Sequence, residues 1–126
     1  MKTKILFLSI FLLACLLGQG QIKVATVLGD NMVLQRNTEV KIWGKAKPGE
    51  KLTVKAGWVA GQANTTTNDK GDWIVKLKTT NAGGHYTITI GSPKEKVQLK
   101  NILLGEVWLC SGQSNMEMPM AGYGDS

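Results

Sequence analysis

The sequence predicts a mainly β protein, an antiparallel β-sandwich of immunoglobulin-like or jelly-roll type. Short segments between Ile22 and Leu99 alternate polar and apolar residues with period two, as half-buried strands do. Turn-forming residues separate these segments at short intervals, and no stretch after residue 20 keeps a helical period over ten residues. A length of 126 residues allows one ordinary domain but not a complete two-domain enzyme.

Five segments account for most of the predicted strands: Glu39–Ile42, Lys51–Ala56, Trp73–Lys78, Tyr86–Ile90 and Val97–Leu99. Pro48-Gly49 suits a type II turn, Asn68–Gly71 a hairpin loop, and Gly83-Gly84 a break before the next strand.

Three of the tryptophans fall within this β region. Trp43 and Trp73 are expected in its core. Trp58 is either a carbohydrate-stacking platform or, as is commoner for a single strand Trp, a packing residue.

The first twenty residues read as a secretory signal peptide. A basic start at Met1–Lys4 precedes an apolar run, Ile5–Leu17, which is shorter than the ~20 residues of a membrane span. Small residues at 18 and 20 predict cleavage before Gln21 and export to the bacterial periplasm or beyond. A buried N-terminal helix is one alternative. Another is a lipid anchor on Cys15, because residues 12–15 resemble a lipobox.

Charge and side-chain chemistry exclude several classes of function. Fifteen Lys+Arg against nine Asp+Glu give a net charge of +6, but the lysines are spread singly over the whole chain. Nucleic-acid binding is therefore not expected, since it requires clustered basic residues. One His and two distant Cys cannot build a zinc site or a CxxC motif. We expect no metal and no cofactor, and the sequence does not indicate an oligomeric state.

The pattern changes at Ile102, where a nearly continuous apolar run extends to Cys110. Strands buried on both faces have continuous apolar sequences of this kind, and they belong to parallel sheets covered by helices. The sequence therefore predicts a sandwich domain over residues 21–101 and the start of an α/β domain over residues 102–126.

Ser114 follows that apolar run within Ser111-Gly112-Gln113-Ser114-Asn115-Met116. A serine between a buried strand and a helix start lies beside free backbone N–H groups, which can stabilise the oxyanion of an acyl-transfer intermediate. The segment is not the G-x-S-x-G elbow, because Met116 stands where that motif has its last Gly. On this pattern alone, a helix-capping serine is an equal alternative.

The segment from Gly105 to Pro119 resembles the nucleophile block of the sialate O-acetylesterase family along its whole length. These are carbohydrate esterases with an SGNH-hydrolase-like catalytic domain. Four upstream motifs resemble the β-domain that precedes catalysis in bacterial members: Asn31–Arg36, Trp43-Gly44, Pro48–Glu50 and Gly71–Trp73.

The resemblance implies an activity and a site. Ser114 matches the nucleophile, with its own N–H as the first oxyanion donor, and Gln113 and Asn115 match residues that shape the turn. The implied reaction removes O-acetyl groups from sialic acid or another acetylated glycan, without a metal or organic cofactor.

The family's catalytic His and Asp belong to a downstream Asp-x-x-His segment that these residues do not include. The sequence therefore predicts a truncated, inactive N-terminal fragment. His85 is not expected to replace that base, because it begins a strand of the β-domain. The alternatives are a carbohydrate-binding sandwich that uses Trp58 or Trp43, and a structural module without catalysis.

Overall fold

The computed structural model describes residues 21–112, which contain eight β-strands and no helix. Accordingly, none of these residues belongs to a helix that could cross a bilayer. The strands in chain order are β1 (Lys23–Val24), β2 (Val33–Gln35), β3 (Glu39–Lys45), β4 (Lys51–Ala56), β5 (Ala63–Thr66), β6 (Asp72–Lys78), β7 (Gly83–Gly91) and β8 (Lys96–Gly105).

The strands form two sheets that share one hydrophobic core. The first has the order β1-β3-β6 and the second the order β2-β8-β7-β4-β5. Strand β3 pairs with β6, β4 with β7, and β7 with β8, which matches the B–E and C–F–G pairings of immunoglobulin-like sandwiches. The prediction of a purely antiparallel arrangement is wrong at one place, because β2 pairs with β8 in parallel.

The core consists of the inward positions of the alternating strands. Leu52, Val54 and Ala56 of β4 are buried, whereas Lys51 and Lys55 on the opposite face are exposed. Burial of one large aliphatic side chain contributes about 1.5–3 kcal/mol, so this face drives folding. Among residues 21–112, the residues with 0% exposure are Ile42, Val54, Ile88, Ile90 and Ile102.

The three predicted turns and breaks differ in their outcome. The Pro48-Gly49 turn is confirmed: Gly49 has a φ of 74° and the Glu50 N–H donates to the Lys47 carbonyl at 3.1 Å. Asn68 does organise a tight loop, since its Oδ1 accepts the N–H groups of residues 70 and 72. That loop is not a hairpin, however, because the strands that it joins lie in different sheets. The Gly83-Gly84 pair does not break the chain but begins β7.

The strand expected over residues 102–110 is wrong in its setting and its length. Ile102 and Leu104 are buried, but they extend β8 within the second sheet and pair with β7 and β2. The strand ends at Gly105, so the β-domain continues past the predicted boundary at residue 101. Beyond it, Trp108 and Leu109 are 83% and 95% exposed among the described residues.

The tryptophans divide between core and surface. Trp73 is buried as predicted, but Trp43 is 40% exposed, because β3 turns Ile42 inward and its neighbour outward. Trp58 is a packing residue: its Nε1 donates to the Lys78 carbonyl at 2.9 Å, and its ring meets Tyr86 edge-on at 5.7 Å.

Candidate functional site

The predicted catalytic residues, Ser114 with Gln113 and Asn115, lie outside the described residues. The structure does describe the first part of the same block, from Gly105 to Gly112. What it shows is how the β-domain holds the chain that leads to Ser114.

The parallel pair of β2 and β8 sets the position of Gly105. Gln35 lies opposite Gly105 in the register, and the Arg36 N–H donates to the Gly105 carbonyl at 2.9 Å. At the other end of the pair, the Leu103 N–H donates to the Met32 carbonyl at 3.1 Å. The last strand of the domain is thus fixed along its final residues by a segment some seventy positions earlier in the sequence.

Three side chains extend this pairing beyond the strand ends, and we call Gln35, Arg36 and Glu106 the anchor. Gln35 Nε2 donates to Glu106 Oε2 at 2.7 Å, and Arg36 Nε donates to Glu106 Oε1 at 2.5 Å. The Gln35 Oε1 atom in turn accepts the Val107 N–H at 2.8 Å. The Gln35 amide therefore binds both the carboxylate of Glu106 and the backbone N–H of Val107.

The anchor favours the ionised form of its carboxyl group. Hydrogen bonds from Gln35, and then from Arg36, hold the pKa of Glu106 below its usual value, with the Arg36 charge acting in the same direction. The Arg36 and Glu106 side chains are 40% and 48% exposed, so water screens their attraction. The anchor therefore fixes the direction of the chain more than it adds to overall stability.

A buried threonine ties the anchor to the first sheet. Thr79, which follows β6, is 7% exposed, and its Oγ1 donates to the Gln35 carbonyl at 2.7 Å. The same oxygen accepts the Thr38 N–H at 3.0 Å, and the Thr79 N–H donates to the Thr38 carbonyl at 2.8 Å. Gln35 is thereby connected to both layers of the fold.

The anchor residues are not recognisable as part of a site from the sequence alone. Gln35 and Arg36 end one motif of the family resemblance and Glu106 is the second residue of another, but nothing in a single sequence shows that the two motifs meet. The indication that the sequence does contain is that these polar residues lie at the ends of two apolar segments. The parallel pairing that joins them is a tertiary feature.

His85 is exposed, as expected for a histidine outside a catalytic pair. Its Nδ1 lies in hydrogen-bond contact with the side-chain oxygen of Asn101, whose Nδ2 donates to Asn31 Oδ1 at 2.6 Å. These contacts fasten β7 and the start of β2 to β8. Among residues 21–112, no three His, Cys, Asp or Glu side chains are grouped so that they could hold a metal ion.

Comparison with known proteins identifies relatives for most of the chain. No family model matches it. The mouse sialate O-acetylesterase is 30% identical over 108 residues, which cover 79% of this chain and 20% of the mouse protein. The human sialate O-acetylesterase is 31% identical over 105 residues, or 76% of this chain and 20% of the human protein.

A solved structure has the same fold. The crystal structure of a carbohydrate acetylesterase from Xanthomonas citri superposes with a TM-score of 0.71 and 32% identity, over 80% of this chain and 23% of that protein. The sequence resemblance and the structural likeness thus point to the same group of proteins. The chain belongs to the sialate O-acetylesterase family, and it spans about a fifth of the length of the curated relatives that it matches.

Proposed function

We propose that this chain is part of an exported serine esterase that removes O-acetyl groups from sialic acid or a related acetylated glycan. The observation that carries the proposal is the identity of about 30% over three quarters of the chain to proteins named sialate O-acetylesterase. The likeness to a carbohydrate acetylesterase supports an acetylated carbohydrate as the substrate class.

Ser114 is the nucleophile in this proposal. Its Oγ attacks the acetyl carbonyl carbon while a histidine takes its proton, and the carbonyl oxygen becomes an oxyanion. The Ser114 N–H donates to that oxyanion, and Gln113 and Asn115 shape the turn that presents it. The tetrahedral intermediate then collapses: the sugar oxygen leaves with the proton from the histidine, and an acetyl-enzyme remains. Water, deprotonated by the same histidine, hydrolyses the ester to acetate and restores the serine.

The base has to come from outside the 126 residues. His85 is the single histidine of the sequence, and in the structure it is held on the surface of the β-domain by Asn101. A serine hydroxyl without an adjacent base is a poor nucleophile at neutral pH. We therefore assign the base and its Asp partner to an Asp-x-x-His segment of a longer protein, and we expect these 126 residues alone to be inactive.

The anchor has a positioning role in this reaction. It fixes the backbone at Val107, seven residues before the nucleophile, through Gln35 and Glu106. Acyl transfer depends on a reacting oxygen that is already placed near its donors, so small displacements of the block reduce the rate. The β-domain thus provides a rigid support on which the catalytic segment begins.

Hydrolysis of an acetyl ester by two proteins tests the proposal: this 126-residue chain, and the longer protein read from the coding sequence beyond Ser126. We expect turnover only from the longer protein. Ser114→Ala should abolish it, whereas Ser111→Ala, three residues earlier in the same block, should retain it. Turnover by the 126-residue chain that Ser114→Ala abolishes would contradict the assignment of the base. Activity of the longer protein that survives Ser114→Ala would contradict the assignment of the nucleophile.

Export is proposed from residues 1–20, which lie outside the described residues. Ile22 is the first of the described residues that packs in the core, at 5% exposure, and its N–H donates to Glu95 Oε1 at 2.5 Å. Cleavage before Gln21 would therefore retain every core residue that the structure describes. Mass spectrometry of the mature protein tests this, with Gln21 expected at its N-terminus. A diacylglyceryl-modified Cys15 at that terminus would instead establish the lipid-anchored form.

A further inference from the structure

An apolar pair is exposed on the outer face of the first sheet. Trp43 of β3 lies opposite Ile74 of β6, and the two side chains are 40% and 51% exposed. Beside them is an open cavity of about 440 Å³. The residues that complete its wall include Thr65, Asn68, Asp72 and Trp73. The cavity thus has an aromatic surface on one side and hydroxyl, amide and carboxylate groups around it.

Trp73 adds an unsatisfied donor to this wall. The residue is 3% exposed, and its indole Nε1 is buried without a hydrogen-bond partner among residues 21–112. The indole of Trp58, in contrast, donates to the Lys78 carbonyl at 2.9 Å. Buried donors in folded proteins are nearly always paired, so this unpaired indole distinguishes Trp73 from the other residues that line the cavity.

The surroundings of the pair do not suit a protein interface. Along the same face Lys76 pairs with Glu39 at 3.0 Å and Lys45 pairs with Asp72 at 2.5 Å. Centres of protein interfaces are depleted of charged residues, and two apolar side chains are too few to form one. A sugar fits better, because a pyranose has an apolar face of C–H groups and a rim of hydroxyls.

The cavity is also remote from the anchor. Glu39 begins β3 just after the segment that Thr79 binds, and Trp43 lies four residues further along, or ~13 Å at the rise of a strand. The chain leaves the β-domain at Glu106, at the end of the fold that Thr79 ties together. A ligand in the cavity would therefore not occupy the place where the nucleophile block starts.

We infer that the cavity beside Trp43 is a carbohydrate-binding site of the β-domain. A pyranose ring stacks on Trp43, and its hydroxyls hydrogen-bond to the hydroxyl, amide and carboxylate groups of the cavity wall. The sugar is neutral, because the charged group of the cavity wall is the Asp72 carboxylate, and Lys45 is already bound to it. This inference does not depend on the proposed acetylesterase activity.

Indole N–H signals in ¹H–¹⁵N NMR spectra of the 126-residue chain give a residue-specific test, since each of the four tryptophans contributes one signal. Xylohexaose and cellohexaose are the neutral probes, and 3′-sialyllactose is the acidic one. We expect a neutral probe to shift the Trp43 and Trp73 signals with a Kd of about 1 mM, in the range of weak ligands. Trp58 and Trp108 should not move.

Three variants make the test specific. Trp43→Ala should weaken binding at least about tenfold, as loss of a central aromatic anchor does, while Trp43→Phe should retain part of it. Trp108→Ala, at an 83% exposed tryptophan outside the cavity, is the matched control and should bind normally. Backbone amide spectra check that each variant is folded.

Several outcomes would overturn the inference. They are a lack of response to both neutral probes, unchanged affinity of Trp43→Ala, or a preference for sialyllactose. Protection of the Trp43 indole in the longer protein without any sugar would also overturn it, because this face would then be covered by another part of the enzyme. Binding needs no ester turnover, so it is measured independently of the proposed activity.

Discussion

Removal of the Thr79 hydroxyl tests whether one buried side chain joins the two sheets at the anchor. Thr79→Val keeps nearly the same shape but loses the bond to the Gln35 carbonyl and the bond from the Thr38 N–H. Each lost hydrogen bond of this kind costs about 1 kcal/mol, so we expect a loss of about 2 kcal/mol in the free energy of unfolding. In a domain of this size, that corresponds to a fall in Tm of about 10 °C.

Urea unfolding followed by circular dichroism measures this change, with thermal melting as a second readout. The control is Thr80→Val at the neighbouring exposed position, for which a change within about 0.5 kcal/mol is expected. If Thr79→Val lies within the same range as that control, the hydroxyl does not join the sheets. The connection between the first sheet and the anchor would then have to come from backbone contacts alone.

Three further outcomes are expected. Gly44→Ala should detach β1 from β3, because a Cβ at residue 44 would lie 2.0 Å from the Lys23 carbonyl oxygen. Faster hydrogen exchange of the Ala25 amide, which donates to the Trp43 carbonyl, would show this detachment. Ile90→Ala, at a fully buried position, should cost about 2–5 kcal/mol in urea unfolding. The anchor keeps the pKa of Glu106 below its usual value. The contribution of Glu106 to stability is therefore complete above the usual pKa, and it is lost as pH falls through the lowered pKa. NMR titration of the Glu106 carboxyl should show the lowered pKa, and a titration at the usual pKa would refute the prediction.

The strand pattern was largely predictable because period two is a local property. The segment Lys51–Ala56 is a strand with the predicted bounds, and Leu52 and Val54 are buried as their alternation requires. The Pro48-Gly49 turn was equally predictable, because φ at residue 49 is positive and glycine adopts that conformation without strain. The family was recognisable for a similar reason, since its motifs are contiguous in the sequence.

Two of the features predicted wrongly are the sheet to which one strand belongs and the inward face of another strand. At Ile42 and Trp43 two apolar residues are adjacent, and period two does not decide which of them points inward. The structure buries Ile42 completely and leaves Trp43 exposed, because the register of β3 on β6 fixes the inner face. Likewise, the apolar run at Ile102–Leu104 is buried in the second sheet of the β-domain rather than in a new sheet.

The sequence by itself determined the β-class, the approximate positions of five of the eight strands found in residues 21–112, the family resemblance and Ser114 as the predicted nucleophile. Only the tertiary structure decided that β2 runs parallel to β8, and that Gln35 therefore meets Glu106 across 71 positions of sequence. It also decided that Trp43 of β3 and Trp73 of β6 border one cavity. The physical reason is range: alternation and turn conformation arise between adjacent residues, whereas strand pairing and burial depend on segments that only the folded chain brings together.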